Sequence, residues 1–222
     1  MTKNLQIVDD LYRSLGPELR HAVNDDEAHI EIHQNRVVGC HLVPGLQVDA
    51  KELNDGVEAK ILLEKNTRLV KPVRICFGVL PENGRQNVVL DIALQENTAG
   101  QFRAYCTFPN ARKVEHRMNA VINIEPGADY SYTEHHVHGP HGGVLVMPKA
   151  HVVIGNGARF RTEFKLLQGR VGEMDIDYEL DCYANAVFEM LAAVNGKAND
   201  RITIHESGRL LGEYSRGALT TH

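Results

Sequence analysis

The sequence predicts an all-β chain folded as a β-solenoid, with flattened coils of about 30 residues and a short helical arm in front of them. The first observation behind this is a refrain of the form apolar-x-x-(Asn/Gly)-small. It recurs at Leu63-Glu-Lys-Asn66-Thr67, Leu94-Gln-Glu-Asn97-Thr98, Ile124-Glu-Pro-Gly127-Ala128, Ile154-Gly-Asn-Gly157-Ala158, Cys182-Tyr-Ala-Asn185-Ala186 and Leu211-Gly-Glu-Tyr214-Ser215. Successive starts lie 31, 30, 30, 28 and 29 residues apart. In five of the six copies the fourth position is Asn or Gly, residues that tolerate a left-handed backbone at a corner. The second observation is the period between the corners. Val114, His116, Met118, Ala120, Ile122 and Ile124 alternate with polar residues, and the same period of two runs through Val144 to Ile154, Phe160 to Leu166, Met174 to Cys182 and Phe188 to Val194. Two strands fit between successive corners, so each coil buries its apolar face only against its neighbours. A hairpin sandwich needs no fixed 30-residue spacing. Acyltransferase-type β-helices use a hexapeptide repeat with coils of about 18 residues, which the spacing excludes.

Along the chain, residues 1–24 read as the N-terminal helical arm. Leu5, Val8, Leu11, Tyr12 and Leu15 lie on one helical face, closed by Gly16-Pro17. Residues 25–55 read as short strands leading into the solenoid, broken by Pro44-Gly45 and Asn54-Asp55-Gly56. Residues 56–222 form the β-helix core as one domain, with no low-complexity linker. The sixth refrain begins at Leu211 and the sequence runs to His222, so the last coil is expected to be incomplete and its open end to favour self-association.

Composition bounds the class. At 222 residues and 43% hydrophobic content the chain can bury a sizeable core, and 6% aromatic content without Trp suits stacked aliphatic ladders. A formal net charge of -5 with both signs interspersed argues against a nucleic-acid surface. No apolar run is long enough for secretion or for a membrane span, so the expected location is cytoplasmic. The four cysteines, at 40, 76, 106 and 182, form no CxxC and read as reduced thiols.

The densest chemistry is Thr133-Glu134-His135-His136-Val137-His138-Gly139-Pro140-His141, where four of the twelve histidines fall within seven residues beside a carboxylate. On a strand His136 and His138 share one face while His135 takes the other. Glu134, His135, His136, His138 and His141 are therefore candidate ligands for zinc or iron, and the alternative is a polar, hydrogen-bonding loop. Repeat phasing adds Cys106. It lies 12 residues after Leu94, as His136 lies 12 after Ile124, so adjacent coils, about 4.8 Å apart, should stack them. Cys76, 13 after Leu63, is a near miss in the same column. The competing reading of Cys106 is a buried structural thiol. A cupin-like metal enzyme built on His135 to His141 remains the alternative function; it would close an antiparallel barrel around one firmly held metal. No G-x-x-x-x-G-K-[ST] loop and no G-x-S-x-G elbow occurs, so neither nucleotide hydrolysis nor serine hydrolase chemistry is expected. Asp175, Asp177, Glu179 and Asp181 alternate with Met174, Ile176, Tyr178 and Leu180 and read as a solvated strand face.

Val79-Leu-Pro-Glu, Phe108-Pro-Asn-Ala111, Tyr130-Ser-Tyr-Thr-Glu134, Gly142-Gly-Val144, Pro148-Lys-Ala150, Gly157-Ala158-Arg-Phe-Arg-Thr-Glu163, Gly169-Arg-Val-Gly172, Asp175-Ile-Asp-Tyr178-Glu and Tyr214-Ser-Arg-Gly217 together carry a resemblance. Over roughly residues 40–222 the chain resembles the SufB/SufD family of iron–sulfur cluster assembly proteins, in its short archaeal type. The resemblance implies a right-handed parallel β-helix and a non-enzymatic scaffold. It would work with the ABC-type ATPase SufC and with a SufB/SufD-like paralogue or a second copy of itself. The implied cargo is a transient iron–sulfur cluster or iron, with none tightly bound to the isolated chain. In the family, the segment that docks on SufC, and the cysteine and histidine proposed to hold the nascent cluster, lie beyond the part resembling Ser215 to Gly217. No family ligand is therefore carried onto a residue of this chain.

Overall fold

The computed structural model describes residues 2–17 and 27–222. Among the described residues, helix α1 (Lys3–Ser14) precedes β1 (His29–His33), β2 (Arg36–His41), β3 (Leu46–Glu52), β4 (Gly56–Leu63) and β5 (Val73–Gly78). There follow β6 (Asn83–Leu94), β7 (Ala99–Phe108), β8 (Lys113–Ile124), β9 (Asp129–His138) and β10 (Val144–Ile154). The chain then adds β11 (Arg159–Gln168), β12 (Gly172–Cys182), β13 (Val187–Val194), β14 (Arg201–Leu210) and β15 (Arg216–Thr221). The part of the expected arm from residue 18 to residue 24 lies outside the described residues.

From β4 onward, successive strands alternate between two sheets, ordered β15-β13-β11-β9-β7-β5-β1-β2 and β14-β12-β10-β8-β6-β4-β3. Every ladder among β4 to β15 is parallel, for example Leu94↔Ile124 and Ile124↔Ile154. The result is a β-solenoid of about six turns. Only the entry differs, where β3 pairs antiparallel with β4 and β2 antiparallel with β1. The parallel ladders rule out the antiparallel barrel that the cupin-like alternative required.

The corners explain the refrain. The fourth residue of every copy has positive φ: Asn66 (64°), Asn97 (58°), Gly127 (70°), Gly157 (67°), Asn185 (58°) and Tyr214 (59°). Each is the third residue of a four-residue turn closed by a backbone hydrogen bond, as in Thr67 N–H to Glu64 O (3.0 Å) and Ala158 N–H to Gly155 O (3.0 Å). The amide of the corner residue donates to the next coil, Asn97 to Pro126 O and Gly157 to Ala184 O, so the corners stack as well as the strands. The first refrain residues form a buried aliphatic ladder, Leu63, Leu94, Ile124 and Ile154, ending on Cys182. At the sixth corner the ladder pairs Cys182 with Leu210 and not with Leu211. One extra residue is absorbed there, as the amides of Leu211 and Gly212 both donate to Cys182 O, and Leu211 is half exposed.

Alternation sets the core. In β8 every second residue from Val114 to Ile124 is buried and the residues between are not. Helix α1 covers the outside of the odd-strand sheet near its start, burying Leu11, Tyr12 and Leu15 against Val38, Cys76 and Tyr105. Gly78 makes the close approach possible, because a Cβ there would fall 2.2 Å from Leu11 Cδ2. The Tyr12 hydroxyl donates to the fully buried Glu31 at 2.6 Å. Cys76 therefore belongs to this outer cluster and pairs with Tyr105, one residue out of the Cys106 column. Among the described residues no helix is long and apolar enough to cross a membrane.

Candidate functional site

Strand β9 sends Tyr130, Tyr132, Glu134, His136 and His138 into the space between the two sheets, all of them buried. Polar groups in an otherwise aliphatic interior must find partners, since an unmade hydrogen bond there costs about 1–3 kcal/mol. Neighbouring coils make the room. Glu134 lies in register with Ala104 on β7 and Phe164 on β11, and Cys106 lies in register with His136. From the opposite sheet β8 contributes His116, which is buried between the rings of Phe77 and Phe108.

The distances define one connected cluster. Cys106 Sγ lies 3.8 Å from His116 Nε2 and 3.5 Å from Glu134 Oε1. Glu134 Oε1 is 2.7 Å from His136 Nε2, His136 Nδ1 is 3.1 Å from His138 Nε2, and His138 Nδ1 is 3.3 Å from Arg170 O. On the other side His116 Nδ1 is 3.0 Å from Gln86 Oε1.

This network assigns the protons. Gln86 directs its Nε2 at backbone carbonyls, Gln34 O at 3.0 Å and Ile32 O and Gly78 O at 3.4 Å, so Oε1 is the acceptor end of the amide. His116 must then donate from Nδ1, and its Nε2 lone pair faces Cys106. His138 donates from Nδ1 to Arg170 O, which makes its Nε2 an acceptor. His136 therefore donates from Nδ1 to His138, and its Nε2 pairs with the carboxylate.

Electrostatics agree with that assignment. Burial pushes the Glu134 carboxyl upward, but the hydrogen bond and charge of His136, helped by His116 and Cys106, hold it below its ordinary 4.5. Burial is also the largest influence on His116, held down to about 3, with His136 adding to the effect. His138 is kept well below its ordinary 6.5 by burial and by His136. Burial first, and Glu134 second, raise the Cys106 thiol well above its ordinary value. Among the described residues, Glu134 Oε2 and the Tyr132 hydroxyl are buried without a hydrogen-bond partner.

Of the residues that the sequence put forward, Cys106, Glu134, His136 and His138 are brought together here. His135 is not: it lies on the outer face, half-buried, with its ring stacked on Tyr105 at 5.5 Å. His141 is exposed in the loop between β9 and β10. Both corrections follow from the strand period, which turns odd positions of β9 outward, and from the bend after His138. Two members were missed. His116 and Gln86 stand in register with each other on β8 and β6 and enter from the facing sheet. The available signal was a histidine at an inward position of an aliphatic strand, Val114-x-His116-x-Met118, where a lone imidazole requires a polar partner.

No protein-family model matches the chain. Its curated relatives include an iron–sulfur cluster assembly SufBD family protein of Methanocaldococcus jannaschii, 29% identical over 205 residues, which are 92% of this chain and 64% of that protein. A second SufBD family protein, of Pyrococcus horikoshii, is 29% identical over 192 residues, 86% of this chain and 58% of that protein. The chain thus spans less than two thirds of the length of either relative.

Proposed function

We propose that this SufBD-like chain is a scaffold component of iron–sulfur cluster assembly, without catalytic activity of its own. In this reading it works in the cytoplasm beside a SufC-type ABC ATPase and a paralogue or second copy of itself. The observation that carries the reading is the similarity to two iron–sulfur cluster assembly proteins along most of the chain. The buried thiol, imidazole and carboxylate donors suit iron, which is the chemistry such a role handles. The sequence has no phosphate-binding loop, so ATP hydrolysis belongs to the partner.

Anaerobic mixing with ferrous iron and sulfide, with and without a SufC-type ATPase and ATP, tests this. The expected outcome is a pull-down of the ATPase by the chain, and visible cluster absorption only when the partner is present. A chain that neither binds the ATPase nor supports cluster absorption in any mixture contradicts the assembly role. Stable absorption on the isolated chain contradicts the dependence on a partner.

A further inference from the structure

We infer that Cys106, His116 and Glu134 form a binding site for a single divalent transition-metal ion inside the solenoid, with Gln86 and His136 as its positioning residues. Their donor atoms all lie within 4.8 Å of one another, and all three residues are buried. One sulfur, one nitrogen and one oxygen make a borderline-soft set, matched to zinc or ferrous iron and poorly matched to magnesium or calcium.

The spacing is that of a ligand shell. Around a tetrahedral ion with bonds of about 2.3 Å to sulfur and about 2.0 Å to nitrogen and oxygen, ligand atoms stand roughly 3.3–3.6 Å apart. Cys106 Sγ to Glu134 Oε1 is 3.5 Å and Cys106 Sγ to His116 Nε2 is 3.8 Å. Both distances from sulfur lie within a few tenths of an ångström of that range, and the His116 nitrogen and the Glu134 carboxylate lie within 4.8 Å of each other.

Orientation makes the case stronger than proximity. The Gln86 amide, anchored on main-chain carbonyls, obliges His116 to present the lone pair of Nε2 to the cluster. A ligating histidine whose other ring nitrogen donates to a carbonyl is the usual outer-shell arrangement of metal sites. His136, stacked above Cys106 in the coil column, places Nε2 2.7 Å from Glu134 Oε1 and Nδ1 3.1 Å from His138 Nε2, and so holds the Glu134 side chain in place. Glu134 Oε2 adds an independent observation: among the described residues this buried carboxylate oxygen has no hydrogen-bond donor, and His116 Nε2 and Cys106 Sγ of the same cluster also offer lone pairs. A cation satisfies all three. On binding, the Cys106 S–H bond breaks, an S–metal bond forms and the proton leaves to solvent. Three protein ligands leave one position of a tetrahedron open to a small exogenous ligand. Phe77, Phe108 and Phe164 pack around the imidazoles of the cluster.

The metal site rests on its own geometry and the assembly role on the similarity to relatives, and the test of the site uses neither sulfide nor a partner, so either can fail alone. Metal-free full chain is titrated with Co2+ and followed by absorption. The expected result is about one Co2+ per chain with a thiolate-to-cobalt charge-transfer band. Cys106→Ser loses the band, and Gln86→Leu keeps it while weakening binding by about 10–100-fold. Absence of the band in the unaltered chain, or a Cys106→Ser titration that superimposes on it, overturns the inference. If Cys106→Ser does not fold, X-ray absorption of the zinc-loaded unaltered chain decides. One sulfur neighbour with nitrogen and oxygen neighbours supports the site, and a shell of nitrogen and oxygen only overturns it.

Discussion

Replacing Glu134 by Ala destabilises the chain by roughly 3–5 kcal/mol, the range for removing one partner of a buried ion pair. The cause lies in what remains. His136 keeps a hydrogen bond from Nδ1 to His138 but loses the carboxylate 2.7 Å from Nε2, and it is buried. Its Nε2 is left in the interior without a partner, and that costs free energy. Removing both charges behaves differently. A chain carrying Glu134→Leu together with His136→Leu loses much less than the sum of the single changes, because apolar replacement of a whole buried pair is close to neutral. Urea unfolding of Glu134→Ala and of the four proteins of the leucine cycle measures this. A Glu134→Ala cost below about 1 kcal/mol, or strict additivity, contradicts the ion pair.

Mild acid produces the second large effect. His116 and His138 are neutral in the folded chain, burial being the main cause, with His116 held down to about 3 and His138 well below 6.5. When the chain unfolds, each takes up a proton near pH 6.5, so below that pH the unfolded state binds more protons and stability falls with pH. Each histidine costs about a factor of ten in the folding equilibrium per pH unit until its folded value is reached. Between pH 6.5 and 4.5 His116 alone therefore costs on the order of 10², and His138 adds to it in the same direction. Glu134 acts in the same direction lower down: its folded value lies below 4.5, so its stabilisation is present above that value and lost as pH falls through it. The urea midpoint is expected to be level at neutral pH and to fall steeply below about 6. A midpoint that stays level down to pH 4.5 contradicts neutral, buried histidines.

Much of the fold was legible because a solenoid writes its geometry into the sequence twice. The corner requires a left-handed residue, and Asn66, Asn97, Gly127, Gly157 and Asn185 announce it. The ladder requires alternation, and Val114 to Ile124 shows it. Phasing from the corners also stacked Cys106 on His136 correctly, since parallel register is preserved from coil to coil. Tyr214 adopts the same left-handed corner without the residue type that signals it, and the extra residue before it moved the ladder position from Leu211 to Leu210. The site was harder to see. His116 and Glu134 meet across the space between two sheets, and neither the 30-residue period nor the strand register specifies which inward residues face each other there. Clustering in sequence misled for the converse reason: His135 and His141 adjoin the inward histidines in the chain, but one lies on the outer face of β9 and the other past its end.

Hydrogen bonding sets the cluster to offer a nitrogen, an oxygen and a sulfur lone pair to one ion. Nitrogen-15 NMR of the histidine side chains in the metal-free protein at neutral pH tests it most directly, because the ring nitrogens report protonation separately. His116 and His138 are each expected to carry their proton on Nδ1 and none on Nε2. A proton on His116 Nε2 would point that ring's donor at Cys106, leave no lone pair for an ion, and contradict the account.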